Sequence, residues 1–141
     1  MTGQDVFDAA LCLMADDAPE DYRSYVLPLL NILLAETMDV NNGLRRWAGK
    51  EPLADVPQLT SLDGEIPWEP LLLRMAFPPG LAAKLLFDDG DMNKMAYMQN
   101  QYADGVNACV RGAAVPILDV YQGNSATGGR GGPLGGGGSG E

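Results

Sequence analysis

The sequence predicts an all-α domain: a small bundle of four to five helices, then an extended C-terminal arm and a Gly-rich tail. Three observations lead there. Apolar residues recur at i, i+3, i+4 and i+7, most clearly over Met92–Arg111, which is the repeat of one helical face. No stretch alternates apolar and polar residues long enough to build a sheet. From Gly123 to Glu141 the chain is mostly Gly with small polar residues and has almost nothing to bury. The expected organisation is residues 1–112 as the bundle, 113–122 as a docking arm and 123–141 as the tail.

Val6, Phe7, Ala10, Leu11 and Met14 share a helical face, so Gln4–Ala15 is a short amphipathic helix. Asp17 with Glu20 forms an Asp version of the capping box, and Pro19 is harmless in a first turn. A second helix is expected from about Ala18 to Met38, with Tyr22, Val26, Leu29, Leu30, Leu33 and Thr37 inward. Leu27, Ile32 and Leu34 widen its apolar surface beyond one stripe, which implies more than one neighbour. Pro28 predicts a kink near Ser24. Asp39-Val-Asn-Asn-Gly43 reads as a stop, because Asn and Gly accept the left-handed cap conformation. Leu44–Lys50 then forms one or two further turns, and Glu51–Asp63 a loop holding Pro52 and Pro57.

The stretch Thr60–Phe87 is the one the other elements wrap. Pro67 and Pro70 suit a helix start near Ile66, where a missing N–H costs nothing. Leu71–Phe87 is apolar on nearly every side, as in a helix packed all round. Pro78 and Pro79 are expected to break it into a bent pair, with Gly80 allowing close approach. Asp88-Asp89-Gly90-Asp91 caps the last helix, Met92–Arg111, which Gly112 ends. Its inward face is Met92, Met95, Ala96, Gln99, Tyr102, Ala103, Val106, Cys109 and Val110, with Met98 off the stripe at an interface. Leu30, Leu33, Leu72, Leu85, Tyr102 and Val106 are core candidates. Ala113–Tyr121, apolar, β-branched and broken by Pro116, reads as an extended arm. It either lies back over the bundle or docks on another chain.

The formal net charge of -10 repels a phosphate backbone and argues against nucleic-acid binding. The chain has no His, the commonest general base and metal ligand. Cys12 and Cys109 read as two buried, reduced thiols, and two cysteines without His make no four-ligand zinc site. Asp89-Gly-Asp91-Met-Asn93 imitates the opening of a calcium loop. Lys94 stands where Gly is needed and Asn100 where the bidentate Glu belongs, so a capping turn is the better reading. Asp16-Asp17 and Glu20-Asp21 sit at helix starts, where the dipole favours acids. The tail has no Lys-Ser or Lys-Thr of a phosphate loop. The expectation is a protein that is not an enzyme, with no catalytic residue, no metal and no cofactor. The longest apolar run, Val26–Ala35, contains Pro28 and Asn31 and is too short to span a bilayer, so no membrane partner is expected. The acidic start lacks a signal-peptide layout. Arg45-Arg46-Trp47, with Val56 and Leu59 beyond it, has two readings: a partner-contact loop, or a solvated turn with its Trp tucked on the bundle.

Thr60-Ser-Leu-Asp-Gly-Glu-Ile66, followed by Ala76-Phe-Pro-Pro-Gly-Leu-Ala-Ala-Lys-Leu-Leu86, resembles the small helical head–tail adaptor proteins of tailed bacteriophages. Those show a Thr-Ser-Leu-Asp-acidic stretch and then Leu-Pro-Tyr-Gly-Leu-Ala-Ala; Pro79 stands here in place of the aromatic. The likeness extends more loosely over Tyr22–Glu36 and Asn93–Asn107. It implies a structural virion protein of the neck, made in the bacterial host cytoplasm. Such proteins form a ring with copies of themselves, commonly dodecameric, beneath the portal protein. They extend the DNA channel, let DNA pass without tight binding, and seat a stopper or tail-completion protein. The resemblance further implies that Val115, Pro116, Ile117, Leu118, Val120 and Tyr121 dock on the portal or a neighbouring subunit. The competing expectation is a small acidic regulatory binder, an antitoxin-like or DNA-mimicking inhibitor, which the net charge favours.

Overall fold

The computed structural model describes the backbone of residues 1–15 and 18–122, and the side chains among them except those of 88, 89 and 112–122. Among the described residues there are four α-helices: α1 (Gly3–Met14), α2 (Arg23–Trp47), α3 (Pro70–Asp89) and α4 (Met92–Gln122). A 3-10 turn, Pro19–Asp21, precedes α2. No strand occurs among the described residues; Thr2 and Glu65 make one isolated antiparallel bridge. The chain divides into two compact units, Met1–Val110 and Arg111–Glu141.

α1 is started by a capping box that the sequence pattern did not single out. The Thr2 hydroxyl accepts from the Asp5 N–H at 3.1 Å, and the Asp5 carboxylate accepts from the Thr2 N–H at 2.9 Å. Hydrogen bonding from the Thr2 backbone N–H, and then from the Thr2 side chain, holds the Asp5 carboxyl below its ordinary value. At the other end Ala15 adopts the left-handed conformation (φ 55°), and Lys94 Nζ donates to the Met14 carbonyl at 2.7 Å. Asp17, half of the predicted second capping box, and its neighbour Asp16 lie outside the described residues.

α2 differs most from expectation. It runs through Asp39–Gly43 and ends at Trp47, absorbing the turns expected over Leu44–Lys50. The reason is that its Asn amides are engaged by a distant segment, leaving them unable to compete for the local backbone. Asn42 Oδ1 accepts from Leu53 N at 2.8 Å and its Nδ2 donates to Leu53 O at 3.0 Å. Asn31 holds Leu59 the same way, at 2.8 and 3.1 Å. Asn41 Oδ1 accepts from Glu69 N at 2.8 Å. Trp68 Nε1 donates to the Thr37 hydroxyl at 2.8 Å, which donates to Leu33 O at 2.7 Å. Residues 48–69 therefore form a closed strap, descending α2 and returning to it. Its two ends meet where Lys50 Nζ binds the Glu69 carboxylate at 3.1 Å. On its way it pairs with the chain start, through Gln4 N to Leu62 O at 2.9 Å and Ile66 N to Met1 O at 3.0 Å.

α3 is the central helix, as expected, but it begins at Pro70 rather than near Ile66; Ile66 and Trp68 are buried as part of the strap. Pro78 and Pro79 lie inside one continuous helix instead of dividing it. Proline's fixed φ is itself helical, and what it removes is one N–H per residue. The stretch Pro70–Phe87 is long and apolar enough to cross a membrane, and 67% of it is buried within the fold. Leu72, Leu73, Ala76, Phe77, Leu81, Ala82 and Leu85 from α3 meet Val6, Phe7 and Ala10 of α1 and Val26, Leu30, Leu33 and Leu34 of α2 in the core. The core candidates Leu30, Leu33, Leu72 and Leu85 are buried, while Tyr102 and Val106 are half-buried.

α4 packs on α3 by a face rotated from the predicted one. Met98, Gly105 and Cys109 are buried, whereas Met92, Ala96, Ala103 and Val110 are exposed. Met98 is thus core and not an interface residue. The cause is Gly105: a Cβ there would sit 2.3 Å from the Met75 carbonyl oxygen. That oxygen has no i+4 N–H partner, because residue 79 is proline. The proline frees the carbonyl, the missing side chain lets α4 approach it, and the pair fixes which face turns inward. Gly80 does the reciprocal service on α3, beneath the Tyr102 ring, whose carbons lie 2.8 and 3.0 Å from the Cβ position. α4 also continues as helix to Gln122, so 113–122 is helical where an extended arm was expected. Gly112 and Pro116 do not end it: the flanking Ala113, Ala114 and Leu118 favour helix, and a proline is carried inside α2 and α3 as well. Residues 123–141, the predicted tail, lie outside the described residues.

Candidate interaction surface

Among the described residues no three His, Cys, Asp or Glu side chains gather as a metal site would require. The polar groups between the helices serve the fold. Glu36 joins three helices: its carboxylate accepts from Lys84 Nζ at 3.0 Å and from the Tyr102 hydroxyl at 2.9 Å. Burial and that carboxylate together push the Tyr102 hydroxyl far above the ordinary tyrosine range. Asn41 is wholly buried, with its Nδ2 lacking an acceptor. Cys109 is buried and its thiol is pushed up by desolvation, but Cys12 is exposed, against the expectation of two buried thiols. Cys12 lies two positions from both Ala10 and Met14 on α1, on the side away from the stripe that they bury with Val6.

Of the predicted contact loop only part faces solvent. Leu59 is buried, held by Asn31, and does not belong to a contact surface. Arg45 is used internally: its Nε donates to Glu51 O at 2.6 Å, and its guanidinium lies 4.0 Å from the Glu69 carboxylate. Arg46, Trp47 (49% exposed) and Val56 remain open. Trp47 is therefore not tucked on the bundle. The docking side chains Val115, Pro116, Ile117, Leu118, Val120 and Tyr121 lie outside the described set.

Uncovered apolar areas flank the first turns of α4, and periodicity did not mark them. On one side is a trough made of two adjoining hollows of about 250 and 440 Å³ that share Leu29 and Lys84. Tyr22, just before α2, lines it together with Tyr25, Pro28 and Ile32 of α2, Ala83 and Phe87 of α3, and Met95 and Gln99 of α4. Phe87 is 68% exposed, the most open large apolar side chain described. On the other side α1, α3 and α4 enclose a recess of about 560 Å³ around Leu13, Met75, Pro78, Pro79 and Tyr97. Ile32 signalled the first area in the sequence, as a residue outside the inward stripe of its helix. Phe87 gave no such signal, since all of its segment is apolar.

No family model, curated protein or solved structure matches the chain.

Proposed function

We propose that this chain is a structural head–tail adaptor of a tailed phage, a ring-forming protein that sits beneath the portal, continues the DNA channel and seats the stopper. The observation that carries the proposal is the pair of unlike apolar surfaces on the two flanks of α4, the Tyr25–Ile32–Phe87 trough and the Leu13–Met75–Tyr97 recess. Contiguous exposed apolar area marks interaction sites. Two different surfaces on one chain suit heterologous contacts, which close into rings when the rotation allows. A net charge of -10 keeps such copies apart everywhere else and gives a channel that DNA slides through. The Thr60–Leu86 resemblance supplies the family.

Mass measurement in solution, with electron microscopy of the protein mixed with portal, tests this. The expected result is a discrete multi-copy ring, alone or on the portal. A monomer or dimer that ignores portal refutes the adaptor and favours the acidic inhibitor.

A further inference from the structure

We infer that Phe87 of one copy of this chain seats in the recess between α1, α3 and α4 of a second copy, with the acidic turn after Phe87 set against Arg74. The inference rests on the assembly proposed above and names a contact that would join neighbours. Phe87 lies in the last turn of α3 and is 68% exposed. The recess has a floor of buried Pro78, Pro79 and Met98 and a rim of exposed Leu13, Met75 and Tyr97. An aromatic ring carries more apolar area to bury than most side chains, and methionine adapts its shape around such a ring. Phe87 cannot fill the recess of its own chain. It stands nine positions past Pro78 on one continuous helix, about 14 Å, and lines the trough on the other flank of α4.

Charge selects the occupant. Arg74 is the one charged side chain lining the recess, and among the described residues nothing pairs with its guanidinium. The recess therefore suits an apolar side chain with carboxylates beside it. Phe87 is followed by Asp88-Asp89-Gly90-Asp91, which is that combination. Asp91 is exposed, and only its Oδ1 is engaged, accepting from Lys94 N at 3.1 Å. The trough makes no such demand, because Glu36 already holds Lys84 at 3.0 Å. Two Phe87 edges set face to face would bring two acidic turns together, and like charges oppose that arrangement. A knob and a hole on opposite flanks of α4 instead give a head-to-tail contact, the kind that closes into rings. The hydrophobic seat supplies the attraction and the exposed ion pair sets the orientation.

Disulfide trapping on the full chain tests this, because the recess already holds an exposed thiol, Cys12, while Cys109 is fully buried. Phe87→Cys protein is treated with oxidised glutathione and run without reductant, beside Phe87→Cys/Cys12→Ser. The expected result is a covalent ladder of three or more chains that Cys12→Ser abolishes. Adding Arg74→Glu should slow the ladder about tenfold at low salt and less at high salt. In parallel, Phe87→Ser should lower the mass of the native assembly to that of a monomer. Phe87 and Arg74 are both exposed, so circular dichroism should show the variants folded. A multi-copy parent that gives no ladder, with Phe87→Ser keeping the parent mass, overturns the contact and leaves the adaptor standing. A linked pair that survives Cys12→Ser also overturns it, since Phe87 would then meet its own counterpart. A parent that is monomeric and forms no ladder overturns both.

Discussion

Replacing Gly105 by Ala puts a Cβ 2.3 Å from the Met75 carbonyl oxygen, 2.8 Å from its carbon and 3.2 Å from Ala76 Cα. All three neighbours are helix backbone, so no side chain can swing aside. Restoring ordinary contact means moving α4 off α3 by roughly 1 Å, a gap that forfeits a quarter to a half of each dispersion contact across it. Met98 and Cys109, buried on the same face, lose packing together. Overpacking of this kind costs about 1–3 kcal/mol, and the better helix propensity of Ala returns about 1 kcal/mol. With rigid backbone on both sides the upper part of the range applies, for a net loss of about 1–2 kcal/mol. In a domain of this size that lowers Tm by roughly 4–9 °C. Gly43→Ala is the control: it also lies inside a helix, but nothing stands within 4 Å of its Cβ position. It should gain about 0.5–1 kcal/mol. Urea and thermal unfolding of the two variants read the difference in sign. A Gly105→Ala protein as stable as the parent would refute the close crossing and the face assigned to α4.

Asn31→Ala removes both bonds to Leu59 and leaves a buried segment's N–H and C=O unpaired, at about 1–3 kcal/mol. Hydrogen exchange at the Leu59 amide should accelerate about tenfold or more, with the α3 amides unchanged; an unaltered Leu59 rate rules the clamp out. Tyr102 makes stability fall at high pH. Its folded value lies above the unfolded one near 10, so its contribution is complete below pH 10 and drains away as the pH rises past it. Alkaline unfolding followed by circular dichroism should show this fall in the parent and not in Tyr102→Phe; identical profiles would place the hydroxyl in solvent.

Much of the fold could be read from the residues, and the failures share a cause. α1 and the inward stripe of α2 follow from spacing alone, because Val6, Phe7, Ala10, Leu30 and Leu33 each face one core. The apolar character of Leu71–Phe87 on nearly every side placed α3 at the centre. The errors came where a local signal was answered by a partner far along the chain. Asn41, Asn42 and Gly43 spell a helix end, yet the strap takes both amides and the helix continues. Pro78 and Pro79 spell a break, yet the carbonyl that Pro79 releases faces Gly105. Leu59 looked available because it sits among turn residues, and only the bond from Asn31 reveals it as buried. The uncovered trough was illegible for a different reason: its walls come from α2, α3 and α4, and no single helix displays it.

The asparagine clamps also govern which length changes the chain tolerates. Asn31 and Asn42 are eleven positions apart on a helix, about 16 Å, and the residues they grip are six apart, at most about 20 Å when fully drawn out. Between Leu53 and Leu59 the polypeptide is nearly taut. Losing a residue there would tear one amide pair open, whereas an insertion beyond Leu59, near the exposed Thr60 and Ser61, would only enlarge a bend. Natural variants of this protein should therefore differ in size around residue 60 and keep the count from 53 to 59 constant.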